Sequence, residues 1–264
     1  MYDFEYHKPG SIADAVKILS ADPDARPISG GQTLLPALKH RLNKPSSVVD
    51  LSGIAELKGI RREGNKLVIG ALAKHHEVSE SAEVKAAIPA LAALAGTIGD
   101  VQVRNRGTIG GSVSNNDPAA DYPAAVLALN ATVVTDKRRI TADDFFQGMF
   151  TTALEPGELL VAVEFPIPEK AGYAKMRNPA SRYVMAGAFV ARTGGAVRVA
   201  INGAGPGVFR QADMEKALTA NWSADAVANV RQSAENLNGD IHGSAEYRAH
   251  LVTVMAKRAV AAAG

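Results

Sequence analysis

Arg26-Pro27-Ile28-Ser29-Gly30-Gly31-Gln32-Thr33-Leu34-Leu35-Pro36 decides how the first part of the chain is read. Residues 26–29 predict a short strand that runs into a glycine pair. Thr33 is placed to cap a helix, and that helix tolerates Pro36 because an N–H in the first turn has no intrahelical partner anyway. Upstream, Ser11 predicts another cap, with Ile12, Ala15, Val16 and Leu19 at helical spacing and Asp14 three residues after it. The second helix is expected to end near residues 43–45, and residues 48–51 predict a further strand. Helix, strand, helix, strand within fifty residues is the pattern of a small α/β unit, with a boundary near Ser52.

Farther along, residues 66–69 predict a strand and residues 84–96 a helix that restarts at Pro89. A glycine-rich turn follows at residues 104–112. Asp121 predicts an N-cap for residues 122–130, with Pro123 in the first turn. Strands are expected at residues 131–135 and 159–165. Pro166, Pro168 and Gly172 mark a second boundary. Residues 186–192 and 196–202 then form a hairpin about Gly194-Gly195. Two helices close the chain, over residues 224–237 and 245–262, the latter with Tyr247, Leu251, Met255 and Arg258 on one side. The fold class is therefore α+β, a mixed arrangement divided into residues 1–53, 54–168 and 169–264.

Composition narrows the function. Lys and Arg number 29 against 27 Asp and Glu, a net charge of +2 with no basic block, which argues against nucleic acid as a partner. Neither a long apolar run nor the apolar stretch of a signal peptide is present, so a cytoplasmic location without a membrane-spanning segment is expected. The chain has no cysteine, which excludes disulfides, thiolate-ligated iron–sulfur clusters and cysteine-rich zinc sites. His75 and His76 are adjacent and diverge, and the other four histidines lack paired ligand spacing, so no metal site is expected. Redox chemistry would have to come from a bound cofactor.

Two segments carry the features of a pyrophosphate cradle. Close approach of a backbone to adjacent phosphates needs residues without a Cβ, and exposed N–H groups at a helix start supply donors. Ser29, Gly30, Gly31, Gln32 and Thr33 meet both needs, with Leu34 opening the helix. Arg106-Gly107-Thr108-Ile109-Gly110-Gly111-Ser112 offers hydroxyls and amides in a similar arrangement, followed by Asn115, Asn116 and Asp121 as polar groups for sugar or ribityl hydroxyls. A single Gly-Gly turn is usually structural; repetition with flanking Ser and Thr is what points to a ligand such as FAD. Neither segment is a G-x-G-x-x-G fingerprint, so a Rossmann domain is not supported.

Across nearly its whole length the sequence resembles the FAD-binding medium subunits of molybdenum hydroxylases, the group of aerobic carbon monoxide dehydrogenase and bacterial xanthine dehydrogenase. The resemblance runs from Phe4-Glu5-Tyr6-His7-Lys8-Pro9 through residues 29–33, Val49-Asp50-Leu51 and Leu57-Lys58-Gly59-Ile60. It is most specific at residues 104–112 and continues through Gly157-Glu158-Leu159-Leu160 and Tyr173-Ala174-Lys175 to Tyr183. It implies an FAD-binding fold of two N-terminal α/β subdomains and a C-terminal unit with a three-stranded sheet and helices. Residues 29–33 and Thr108, Ile109, Gly110, Gly111 and Ser112 would hold the FAD pyrophosphate. Asp121 would lie near the ribityl chain, Leu160 near the flavin or adenine, Lys175 near the isoalloxazine region, and Tyr183 beside the flavin ring. Ser112 replaces the more usual asparagine, and Gln32 a frequent histidine.

The resemblance also implies an oxidoreductase subunit without a catalytic acid, base or nucleophile of its own. Its partners would be a large subunit with the molybdenum cofactor and a small subunit with two [2Fe-2S] clusters, assembled as a dimer of heterotrimers. FAD would pass electrons on to a quinone, oxygen or NAD, with peripheral attachment to the inner membrane through the complex. The alternatives are a self-sufficient FAD oxidase and a non-redox assembly module of the same fold. On the cradle reading, Gly110→Val and Gly31→Val are expected to cost FAD affinity much more than fold stability.

Overall fold

The computed structural model describes residues 1–263. Three larger sheets follow one another along the chain, and a fourth is a two-stranded antiparallel pair of Phe146–Gly148 with Thr151–Thr152. In the first, Glu5–His7, Ser47–Asp50 and Arg26–Ile28 pair in that order, all parallel. Parallel neighbours need crossovers, and the helices Ile12–Ala21 and Leu34–Lys39 lie within them. Ser11 caps the first helix as expected, its Oγ accepting the Asp14 N–H at 3.1 Å. Ala15 and Leu19 on that helix are buried with Val49, Leu51, Ile54 and Leu57. The second helix ends at Lys39, short of residues 43–45, because Arg41 turns into the left-handed region at φ 58°.

The second sheet has five strands in the order Ile60–Glu63, Lys66–Gly70, Leu160–Pro166, Thr132–Thr135 and Arg139–Thr141, every pair antiparallel. Helices Ala82–Ala87 and Pro89–Gly96 show the restart at Pro89. The helix Tyr122–Ala128 is buried at every position, as a helix that is apolar all round must be. It packs on the third sheet, formed by Lys170–Arg177, Val184–Thr193, Ala196–Asn202 and Phe209–Arg210. The main core joins the second and third sheets, since Phe189, Ala191 and Ala200 are buried with Phe145, Phe165 and Leu94. The last strand is a two-residue addition to the three expected.

Near the C-terminus the structure corrects the sequence reading. Residues 224–237 form isolated turns, with Ala226, Ala228 and Val230 each donating only three residues back. Side chains in and beside this stretch satisfy other backbone groups: Ser233 Oγ accepts the Glu235 N–H, and Asn238, just after it, donates from Nδ2 to Gly205 O. The helix lies earlier, at Ala212–Ala220, with the Gln211 side chain accepting from the Asp213 and Met214 amides. The closing helix is Ala245–Ala262. Among the described residues no helix is long and apolar enough to cross a membrane.

Glu164, on a central strand, ties three strands together. Its carboxylate accepts from Lys66 at 2.9 Å and from Arg139 at 3.0 Å. The bonded Arg139 guanidinium, aided by Lys66 and opposed by burial, holds its pKa down to about 2, against an ordinary 4.5. A depressed pKa stabilises the fold above the ordinary value, and the gain disappears as pH falls towards about 2. Glu164→Gln should therefore melt below the parent at pH 7, with a deficit that shrinks steadily over that acid range. Thermal melts across a pH series check this; a deficit unchanged at the acid end would contradict it.

Candidate functional site

The first glycine turn leaves the Arg26–Ile28 strand and enters the Leu34–Lys39 helix. Gly31 adopts φ +71°, a conformation side chains disfavour. Gly30 lies so close to the second segment that an added Cβ would come within 2.2 Å of Arg106 O. Thr33 precedes the helix, but its hydroxyl makes no capping bond. Consequently the main-chain N–H groups of residues 30–34 donate to no acceptor among the described residues. Five successive amides with no partner are donors of the kind that suit an anion.

The second segment is a helix start rather than a turn. Thr108 caps the helix Ile109–Asn115, its Oγ1 accepting the Gly111 N–H at 3.2 Å, and the same oxygen lies 3.0 Å from Ser29 Oγ. Its amides are not free: Ile109 donates to Ala73 O, Gly110 to Ala71 O and Ser112 to Thr108 O. A Cβ on Gly110 would meet Ala71 at 2.6 Å, and one on Gly31 would meet Leu35 at 2.8 Å. Gly110 is thus required by packing against the Ala71 backbone and Gly31 by its positive φ, the Leu35 methyl being able to move; valine at either position should disturb the fold first, contrary to the expectation from sequence.

A cavity of about 840 Å³ opens against these two segments, near the top of the range for ligand pockets. Ser29, Gly30, Gly31, Gln32, Thr33 and Leu34 line it on one side, and Thr108, Gly110, Gly111, Ser112 and Asn115 on the other. Asp121, Leu160 and Tyr183 complete the predicted set. Ile109 and Lys175 do not line it: Ile109 is buried in the main core, and Lys175 sits behind Asp121. Asn116 turns away, its amide donating to Gly148 O and Thr151 O at 2.7 and 2.8 Å. Arg26 and Arg182 are the basic lining residues and Asp100, Asp117, Asp121 and Glu158 the acidic ones, so what the first turn offers an anion is its main-chain dipoles rather than a cluster of cationic side chains.

Asp121 precedes a helix without capping it. Its Oδ1 instead accepts both the Lys175 ammonium and the Tyr173 hydroxyl at 2.7 Å, while Lys175 also donates to Thr97 O at 3.1 Å. Burial pushes the Asp121 carboxyl up and Lys175 opposes it. Tyr183 is 57% exposed, and burial of its hydroxyl together with the Asp117 charge raises its phenol pKa, keeping it neutral. Sequence reasoning missed His75, Ala71, Ile98 and Asp117 as lining residues. His75 had been tested only for metal-ligand spacing, and the others carry no local signal because the strand Lys66–Gly70 and later turns bring them to the cavity.

Residues 2–168 match the family described as FAD binding domain in molybdopterin dehydrogenase, and residues 173–263 match the CO dehydrogenase flavoprotein C-terminal domain. The carbon monoxide dehydrogenase medium chain of Afipia carboxidovorans is 38% identical, over 97% of this chain and 95% of its own. The glyceraldehyde dehydrogenase medium chain of Sulfolobus acidocaldarius is 35% identical over 97% of both chains. A solved structure of reconstituted CO dehydrogenase from Oligotropha carboxidovorans superposes with a TM-score of 0.93 at 35% identity, covering 99% of this chain and 98% of that one. The chain belongs to the FAD-binding medium subunits of the molybdenum hydroxylases. It is an oxidoreductase subunit of the flavoprotein kind.

The buried pair at Asp121 predicts a mutational signature. Lys175→Met leaves a carboxylate enclosed without its counter-charge, which should cost ~3–5 kcal/mol. Asp121→Asn combined with Lys175→Met should recover much of that loss. Urea denaturation of the parent, the single and the double variants measures both steps; a double variant no better than Lys175→Met would contradict the coupling.

Proposed function

We propose that this chain holds FAD along the cavity and serves as the electron relay between an iron–sulfur partner and an external acceptor. The observation that carries the reading is the row of free amides at residues 30–34, beside a cavity of dinucleotide size and with few cationic side chains. These amides would donate to the pyrophosphate oxygens. Ser29 and Thr108, held together through their hydroxyls, fix the distance between the two segments, and Gly111 and Ser112 allow the ligand to approach the second one. The amides there already have acceptors, so that segment would shape the cradle and its hydroxyls would contact the cofactor.

Asn115 and the second oxygen of Asp121 would receive ribityl or sugar hydroxyls. Lys175 and Tyr173 keep that carboxylate in place by occupying its other oxygen. Leu160 would pack on the flavin or adenine, and Tyr183, exposed at the cavity mouth, would cover the isoalloxazine ring and set access for an acceptor. Bound flavin supplies the ability to take up and release electrons one or two at a time; the protein supplies position and electrostatics. No side chain here needs to act as a general acid, base or nucleophile.

The partners in this reading are a large subunit that carries the molybdenum cofactor and oxidises the substrate, and a small subunit with two [2Fe-2S] clusters, in a dimer of heterotrimers. The substrate in this reading is carbon monoxide, an aldehyde or an N-heterocycle, the classes that the relatives' names carry. A quinone, oxygen or NAD would receive the electrons, with contact to the inner membrane made through the complex.

The purified chain should show the two visible absorption bands of oxidised flavin, release FAD rather than FMN, and turn over no substrate alone. Added FAD should stabilise the fold by about 2.7 kcal/mol at a hundredfold excess over Kd. Turnover of a small alcohol or amine by the isolated chain would favour a self-sufficient oxidase. A colourless protein that FAD does not stabilise would favour an assembly module.

A further inference from the structure

One polar group on the cavity wall has no part in the contacts described so far. His75 opens the helix His75–Glu80 and donates its main-chain N–H to Gly107 O at 2.9 Å. The residue is 5% exposed, and its ring lies 5.4 Å from that of Tyr122, the two planes inclined at 46°. Nδ1 is enclosed without a hydrogen-bond partner, and so is the Tyr122 hydroxyl. Nε2 is not among the enclosed orphan atoms, and no protein group among the described residues hydrogen-bonds to it. It lies beside Gly107, where an added Cβ would come within 2.5 Å of it. His75 and Gly107 both line the cavity, so Nε2 is the edge of the ring turned towards the ligand space.

The protonation of the ring follows from its surroundings. Burial, and then the Arg104 charge, hold its pKa down to about 4, so the imidazole is neutral at physiological pH. A neutral imidazole carries one N–H and one bare nitrogen. An enclosed N–H with no acceptor is rarer in folded proteins than an under-used acceptor. The favoured tautomer therefore leaves Nδ1 bare and puts the proton on Nε2. Gly107 keeps that edge reachable, because any side chain there would fill the space against the ring.

We infer that His75 is a further cofactor-binding residue, whose Nε2–H donates to an acceptor oxygen of the dinucleotide where it passes Gly107. The inference rests on the FAD reading of the cavity. It gives the second segment a donor of its own, at a place where the amides of the following helix are already used.

Three variants of the full chain test it. His75→Gln puts an amide nitrogen near the position of Nε2, His75→Asn puts one near Nδ1, and His75→Leu supplies bulk without polarity. FAD Kd should rise about tenfold or more for Leu and Asn, the factor expected for one lost hydrogen bond, and stay within about threefold for Gln. Nitrogen-15 NMR of the unsubstituted apoprotein, which needs no variant to fold, should show Nε2 protonated and Nδ1 bare, with the Nε2 resonance moving when FAD is added. Parent-like affinity for the Leu variant, or an Nδ1–H tautomer unaffected by FAD, overturns the role of His75 alone. A parent protein that binds no FAD overturns the cavity reading and this inference with it.

Discussion

Everything at the cavity depends on the contact between Gly30 and the Arg106–Gly107 backbone. Two main chains from distant parts of the sequence meet there with no room for a Cβ, and the Ser29 and Thr108 hydroxyls bridge them 3.0 Å apart. That contact fixes where the first turn ends, and so where its amides point. It also divides the work: one segment has free donors, while the other has its N–H groups bonded to Ala71, Ala73 and Thr108 and forms a rigid wall.

The C-terminal sheet enters the same arrangement through Asp121. Lys175 and Tyr173 both stand on the strand Lys170–Arg177, and Asn202, two strands away, donates to Ala120 O at 2.7 Å and to the Tyr173 hydroxyl at 3.3 Å. A buried charge is tolerated only where partners satisfy it, so this network positions the carboxylate at the cavity wall and couples it to the third sheet. The shared core of Phe165 and Phe189 gives that coupling a stiff support.

Much of the fold was legible where the signal is local. The Ser11 cap, the Pro89 restart, the hairpin about Gly194-Gly195 and the closing helix each depend on neighbours within a few residues. The helix expected over residues 224–237 failed because Ser233 within it and Asn238 just beyond it bond backbone in non-helical turns, and the weakly amphipathic Ala212–Ala220 was overlooked. At the cavity, the glycine pairs marked two segments that line it, but Gly31 is demanded by its backbone conformation and Gly110 by the Ala71 backbone, whether or not a ligand binds. Asp121 looked like a helix cap because its partners lie 52 and 54 residues away. His75 escaped notice because enclosure of one ring nitrogen and access to the other are decided entirely by tertiary packing.

The central claim is that the amides of residues 30–34 are free in the protein and engaged by the pyrophosphate when FAD binds. Amide hydrogen exchange with and without FAD tests it most directly. The account predicts fast exchange at residues 30–34 in the apoprotein and strong slowing on FAD binding, while Ile109, Gly110 and Ser112, already bonded, are protected in both states. Tight FAD binding that leaves exchange at residues 30–34 unchanged would contradict it.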